Sequence, residues 1–162
     1  MKFSVLKRPS FFQTVSWILA TWFGSGLSPK APGTCGSLFA LPIVAVGYIW
    51  GLPAYLGFLM VLFIVGWLTA RIVLKSQTEP DPGFVVIDEV VGQGLAFSLI
   101  IGLGFSWIYL FLGFLLFRLF DIVKIWPASY FDGSVHNAFG VMMDDVVAGL
   151  YAALILYGIT FI

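Results

Sequence analysis

Residues 31–70 read APGTCGSLFALPIVAVGYIWGLPAYLGFLMVLFIVGWLTA and include no charged residue. An α-helix rises 1.5 Å per residue, so a helix of this length would extend about 60 Å, twice the roughly 30 Å thickness of a bilayer core. The segment GLPA, residues 51–54, supplies the glycine and proline that favour a turn. The stretch therefore predicts two membrane-spanning helices joined by a tight turn.

The composition of the whole chain agrees with a membrane protein. Of the 162 residues, 60% are hydrophobic and only 10% are charged, whereas roughly 25% of the residues in soluble proteins are charged. The formal net charge is zero, which argues against nucleic acid as a partner because its binding depends on positive charge. We expect a single membrane-embedded domain over residues 1–162, with an all-α fold.

Two further segments lack charge. Residues 90–117 would form about 42 Å of helix, which is long for one span and short for two. Gly102 and Gly104 favour a turn between two short helices, although a single span is an alternative. Residues 146–162 would form about 25 Å of helix and are a candidate last span. The predicted fold is a small polytopic bundle of about four to five spans.

The distribution of charged residues across the membrane is strongly asymmetric if residues 90–117 form a helical hairpin. All eight Lys and Arg residues and all eight acidic residues then lie on one side of the membrane. The positive-inside rule makes that side cytoplasmic. Residues 11–23, FFQTVSWILATWF, follow basic residues and carry apolar side chains at helical spacing. We expect them to form an interfacial helix on the cytoplasmic leaflet.

Two polar segments resemble each other: DEVVGQ at residues 88–93 and DDVVAG at residues 144–149. Each begins with two acidic residues, and each precedes an apolar stretch. An acidic residue in the first helical turn complements the helix dipole, but this explains one acid per helix and not two. The small residues in both segments, Gly92, Ala148 and Gly149, would let two helices approach closely.

The paired acids suggest a metal site. Neighbouring residues of a helix point about 100° apart, so Asp144 and Asp145 cannot both face the same helix. An unpaired carboxylate at membrane depth is costly, and a divalent cation would offset that cost for several carboxylates together. Mg2+ binds through a few carboxylates, waters and substrate phosphate. The alternative is an ion or proton carrier whose acidic residues line a pathway through the bundle.

Basic and polar residues nearby suit a phosphate. In FRLFDIVKIWP, residues 117–127, a helix would place Arg118, Asp121 and Lys124 along one face. These three could instead form a mutually neutralising ladder at the membrane surface. The loop GSGLSPKAPGTCGS, residues 24–37, leads into the first span, and loop amides at a helix start favour anions.

Four segments taken in order resemble the phosphatidylglycerophosphatase A family. They are PGTCGS at 32–37, IDEVVGQ at 87–93, FRLFDIVKIWP at 117–127 and GVMMDDVVAG at 140–149, and the resemblance spans residues 22–157. It implies a bacterial inner-membrane phosphatase that depends on Mg2+ and faces the cytoplasm. Its substrate would be phosphatidylglycerophosphate, whose terminal phosphomonoester is hydrolysed to give phosphatidylglycerol and phosphate.

The resemblance also implies roles for particular residues. Four carboxylates would hold Mg2+: Asp88, Glu89, Asp144 and Asp145. Three residues would take part in catalysis: Asp121 as a ligand or general base, Asp145, and His136 as the acid that protonates the leaving glycerol oxygen. Five residues would bind phosphate: Arg118, Lys124, Lys30, Thr34 and Ser37.

Other phosphatase chemistries are excluded by the residues that they require. A cysteine phosphatase needs an arginine six residues after its cysteine, but Leu41 follows Cys35 at that distance. Phosphatases that form an aspartyl-phosphate need two aspartates separated by one residue, and no such pair is present. Histidine-based lipid phosphatases need two histidines, but His136 is the only one. The chain departs from the family where Ile125 stands in place of a common proline, a change that removes no chemical group.

Overall fold

The computed structural model describes residues 10–77 and 82–162, and within them all regular structure is helical. Two short 3-10 turns, Ser25–Leu27 and Ser98–Leu103, accompany the α-helices. The α-helices in chain order are α1 (Phe11–Ala20), α2 (Pro32–Trp50), α3 (Leu52–Leu74), α4 (Ile87–Leu95), α5 (Trp107–Val123), α6 (Ala128–Ser134) and α7 (Ala138–Ile159).

The predicted pair of spans is confirmed by α2 and α3. Gly51 alone joins them, with a φ of 77° that a glycine adopts without the steric cost a β-carbon would bring. Three helices are long and apolar enough to cross a membrane: α2, α3 and α7. The expected all-α membrane bundle is therefore what the chain forms.

Residues 90–117 lead away from the end of the bundle that carries the acidic residues and then lead back to that end. α4 and the 3-10 turn that follows it lead outward to Gly104, whose φ of 89° marks the turn, and α5 leads back. On the return, Arg118 Nη1 lies 3.2 Å from Ser37 Oγ near the start of α2. A single span would have put Arg118 at the opposite end, so the hairpin interpretation is the one that fits. Its two arms are shorter than the three spanning helices.

The outside of the bundle is apolar, as expected for contact with lipid. Large hydrophobic side chains are exposed along every long helix. At the end away from the acidic residues, the Tyr48 and Phe105 rings are 5.6 Å apart and the Phe105 and Trp107 rings 4.9 Å apart. Aromatic side chains collect at membrane–water interfaces, so this group is suited to the boundary of the bilayer.

The N-terminal helix, α1, buries two small residues and exposes several large apolar ones, although Trp17 stacks on Phe84 with their ring centroids 4.7 Å apart. Ser16 and Ala20 are buried, while Phe11 and Phe12 are 77% and 76% exposed. The apolar face thus points away from the protein, where an interfacial helix would meet lipid. The basic residues that precede it, within 1–9, lie outside the described residues.

The two helices that carry the acidic pairs, α4 and α7, cross in very close contact. A β-carbon on Gly92 would lie 2.5 Å from the carbonyl oxygen of Asp145, and one on Gly149 would lie 2.3 Å from the carbonyl oxygen of Gly92. Both distances are shorter than a carbon–oxygen contact allows, so any larger residue would push the helices apart. The predicted close approach through small residues is confirmed, and it brings the start of α4 beside Asp145 of α7. Because α7 begins at Ala138 and is capped by Asn137, Asp144 and Asp145 do not cap this helix.

Candidate active site

Three carboxylates meet where α4 crosses α7. Asp88 and Glu89 occupy the first turn of α4, and Asp145 lies in the second turn of α7. One oxygen of each lies within 4.8 Å of the other two. Asp88 and Asp145 are buried, with 7% and 3% of their surface exposed. We call these three residues the carboxylate cluster.

The carboxylate cluster has the character of a cation site. Buried carboxylates this close repel one another, and the repulsion is large where water is excluded. Oxygen Oε2 of Glu89 and oxygen Oδ2 of Asp145 are buried and accept no hydrogen bond from the part of the chain that the structure describes. Several acceptor oxygens, close together and lacking donors, match the oxygen ligands that hard divalent cations such as Mg2+ prefer. The residues present therefore fit such an ion.

Arg118 lies beside the carboxylate cluster and is held there by contacts from two helices. Its Nη1 atom lies 2.7 Å from Asp121 Oδ2, one turn further along α5, and 3.2 Å from the Ser37 hydroxyl on α2. A β-carbon placed on Gly33 would lie 2.3 Å from Glu89 Oε1 and 3.3 Å from both terminal nitrogens of Arg118. Gly33 thus leaves room for both Glu89 and Arg118 beside the first turn of α2.

The start of α2 adds positive character to this space. The first intrahelical bond of α2 runs from the Cys35 N–H group to the Ala31 carbonyl at 3.1 Å, so the amides of Gly33 and Thr34 precede it. Such first-turn amides and the helix dipole together attract anions. The Ser37 hydroxyl donates a hydrogen bond to the Gly33 carbonyl at 2.9 Å and accepts one from Arg118. The arrangement places anion-binding groups next to a cation site.

Asp144 has a different neighbour from Asp145. Lys124, which ends α5, extends its ammonium group to within 2.7 Å of Asp144 Oδ2 and 2.5 Å of Asp132 Oδ1. The other oxygen of Asp144 accepts a hydrogen bond from the Asp145 N–H group at 3.0 Å. Burial lowers the pKa of Lys124, but the two carboxylates outweigh burial and raise that pKa above its ordinary value. We call Lys124, Asp132 and Asp144 the lysine clamp.

The four predicted metal ligands do not form one group: they are distributed between the carboxylate cluster and the lysine clamp. Asp88, Glu89 and Asp145 come together, whereas Asp144 belongs to the lysine clamp. Asp121 lies close enough to Asp145 for their charges to interact. The predicted face on α5 is present only in part: Arg118 and Asp121 pair one turn apart, but α5 ends at Val123 and Lys124 follows it with a left-handed φ of 47°.

Other predicted residues lie further from the carboxylate cluster. Thr34 is half-buried in the first turn of α2, while Lys30 and His136 are exposed in loops. Within the described ranges, no hydrogen bond or ion pair connects the side chain of either exposed residue to the carboxylate cluster. Their predicted roles remain predictions.

Two residues that matter to this geometry were not singled out by the sequence. The sequence predicts a loop over residues 24–37, but Gly33 lies in the first turn of α2. A glycine directly after a proline at a helix start could have indicated that side chains from other helices approach the backbone there. Asp132 follows Lys124 by eight residues across the loop between α5 and α6, and that spacing alone does not predict an ion pair.

Comparison with known proteins gives a consistent result. The family model described as Phosphatidylglycerophosphatase A matches residues 18–160. A phosphatidylglycerophosphatase A of Haemophilus influenzae is 36% identical over 158 residues, covering 96% of this chain and 94% of the relative. One of Escherichia coli is 37% identical over 140 residues, covering 86% and 80%. A putative phosphatidylinositol-3-phosphatase of Bacteroides thetaiotaomicron is 39% identical over 164 residues, covering 93% and 95%.

No solved structure matches the chain significantly. The family match spans the whole of α2, α4, α5 and α7, which are the elements that build the carboxylate cluster and its Arg118 neighbour. The length of the matches and their agreement with the order of the four motifs leave one assignment: the chain belongs to the phosphatidylglycerophosphatase A family.

Proposed function

We propose that the chain removes the terminal phosphate of phosphatidylglycerophosphate in a membrane and gives phosphatidylglycerol and inorganic phosphate. The observation that carries this proposal is the carboxylate cluster facing Arg118 across the first turn of α2. A cation site beside a bidentate anion donor is what a phosphate ester requires. The names of two relatives support the choice of substrate.

The carboxylate cluster would hold the cation, which we assign as Mg2+. Its three residues supply hard oxygen ligands, and their mutual repulsion is relieved by a divalent ion. When bound, the ion supplies charge neutralisation and polarisation for the phosphate oxygens. Asp144 was also expected to be a ligand, but its contact with Lys124 favours a supporting role.

Arg118 is the main phosphate-binding residue in this proposal. Its planar guanidinium can bind two phosphate oxygens together, and Asp121 and Ser37 fix its orientation. Lys124 and the first-turn amide of Thr34 add positive charge around the same group. Because phosphoryl transfer depends mainly on position and charge neutralisation, these contacts account for much of the catalysis.

Hydrolysis then needs one proton to be removed and one supplied. The oxygen of an attacking water forms a bond to phosphorus while the bond from phosphorus to the glycerol oxygen breaks. Asp121, beside Asp145 and held by Arg118, is positioned to take the proton of the water. The glycerol oxygen takes up a proton as it leaves. His136 is the proposed donor, although no contact among the described residues supports it.

We place the protein in the bacterial inner membrane with its site at the cytoplasmic face. The charged side chains of the described residues gather at one end of the bundle, and the positive-inside rule puts that end in the cytoplasm. Cysteine labelling on a Cys35→Ser background checks this. Residues 51–54 and the C-terminus should label only from outside, while positions 78–82 and 132–136 label from inside. Labelling of the latter two from opposite sides would contradict the hairpin.

The gathering of charged side chains at one end of the bundle also argues against the alternative function, that of an ion or proton carrier. A carrier needs ionisable groups along the crossing, whereas the described acids lie at one end. Reconstituted vesicles that carry ions but release no phosphate would reverse this choice.

The test of the proposed activity is phosphate release by the full chain in detergent. We expect release from phosphatidylglycerophosphate with Mg2+, loss with a chelator and recovery when Mg2+ is restored. Phosphatidylinositol 3-phosphate belongs in the same assay because one relative is named for it. Release from neither lipid at millimolar Mg2+ would reject the proposed function, and release only from the inositol lipid would change its substrate.

A further inference from the structure

The two carboxylates of the lysine clamp differ in how firmly they are held. The Asp144 side chain is 7% exposed and accepts a second hydrogen bond from the Asp145 N–H group. The Asp132 side chain is 41% exposed and stands on α6, a helix of only seven residues. Water can therefore solvate Asp132 if it leaves Lys124, whereas Asp144 would lose a partner inside the protein.

The lysine clamp also carries more negative than positive charge. One ammonium group faces two carboxylates, so Lys124 has little attraction left for a further anion while both remain in place. A phosphate that binds Lys124 must displace one of them. Exposed ion pairs are weak and buried ones are costly to break, so Asp132 is the one that gives way.

Lys124 is placed where such an exchange would matter. It follows Arg118 by six residues and stands directly after the last residue of α5, with a left-handed φ of 47°. Its partner Asp144 directly precedes Asp145 of the carboxylate cluster. A flexible lysine side chain released by Asp132 can therefore reach toward a phosphate bound at Arg118.

We propose that Asp132 is a displaceable counter-ion: it holds Lys124 beside the site and is replaced there by the phosphate of the substrate. Asp132 is then a positioning residue, not a catalytic one, and it competes with the substrate for Lys124. This inference rests on the proposed function for its substrate. Its binding step, however, involves only phosphate and Lys124.

The experiment compares Asp132→Asn with Ser134→Lys. Both changes make α6 more positive by one charge, but only the first frees Lys124 from a carboxylate. For Asp132→Asn we expect the KM for the lipid phosphate to fall about two- to fivefold, as the loss of one exposed ion pair allows. Inorganic phosphate should inhibit at correspondingly lower concentration, and kcat should not rise. Ser134→Lys should change these values much less.

A double variant adds a direct check of the route through Lys124. In a Lys124→Gln background, Asp132→Asn should no longer lower the KM. An unchanged or higher KM in Asp132→Asn, or an equal fall in Ser134→Lys, would overturn the inference.

Failure of the proposed function is a separate outcome. If the wild type releases no lipid phosphate, calorimetric titration with inorganic phosphate replaces the kinetic assay. Tighter phosphate binding by Asp132→Asn than by the wild type and Ser134→Lys would then support the displaceable counter-ion, and equal binding would overturn it.

Discussion

Asp144 and Asp145 are adjacent in the chain but belong to two different acidic regions. Asp145 joins two carboxylates of α4, and two oxygens of this cluster are buried without a hydrogen-bond donor among the described residues. Asp144 instead meets Lys124, so the lysine clamp contains its own cation. We infer that the neighbouring side chains decide the task of each carboxylate: Asp145, grouped with other acids, suits a metal ion, whereas Asp144 orders Lys124.

The largest effect should come from removing a ligand of the carboxylate cluster. Asp145→Asn keeps the shape of the side chain but loses its charge, so we expect activity to fall about a hundredfold or more. The remaining activity should need more Mg2+. Phosphate release titrated with Mg2+ measures both effects, and thermal unfolding in detergent controls for folding. Near-normal rates at unchanged Mg2+ requirement would remove Asp145 from the metal site.

A smaller loss is expected at the phosphate-binding side of the carboxylate cluster. Arg118→Lys retains the charge but loses the planar fork, and a charged hydrogen bond of about 2 kcal/mol corresponds to roughly thirtyfold in rate. Lys75→Arg is the matched control, because Lys75 is exposed at the end of α3. Equal rates for the two variants would mean that Arg118 is an ordinary surface charge.

Asp144→Asn tests the lysine clamp against the carboxylate cluster. Lys124 keeps Asp132 as a partner, so we expect about a tenfold loss of activity, equivalent to about 1.4 kcal/mol. The Mg2+ requirement should stay close to that of the wild type. A strong increase in the Mg2+ needed would show that Asp144 is a metal ligand after all and would merge the two acidic regions.

The smallest effect is expected from Gly33→Ala. The added methyl group would meet the end of the Glu89 side chain, which can move, so the protein should fold. The displaced carboxylate should raise the Mg2+ requirement about threefold, less than the roughly tenfold or more that loss of an outer-shell partner costs. Gly83→Ala is the control because a β-carbon there finds its nearest atom at 4.0 Å. Identical Mg2+ titrations for both variants would show that Glu89 does not bind the ion.

Much of the fold could be predicted because a bilayer limits what an uncharged segment can do. The length of residues 31–70 demands two helices, and Gly51 and Gly104 lie at the two turns. The similarity between residues 88–93 and 144–149 predicted shared chemistry, because paired acids at membrane depth need a partner. These inferences use length, charge and residue size, which are local properties of the chain.

The different partners of Asp144 and Asp145 could not be predicted in the same way. Helical geometry shows that the two side chains diverge, but only the packing of α7 between α4 and α5 decides which one meets Lys124. The ion pair of Asp132 likewise depends on how α6 folds back toward α5. Both depend on the rotation of helices about their axes, and a single sequence does not define that rotation.

The contact between Gly92 and Gly149 has a mechanical consequence. With backbone atoms of α4 and α7 touching, these two helices form a single stiff unit, and the carboxylates they carry keep a fixed spacing. The carboxylate cluster therefore cannot widen by separation of α4 from α7. Under the proposed function, room for a two-tailed lipid must therefore be made by elements outside this unit, so that entry and departure of the lipid would leave the carboxylate cluster undisturbed.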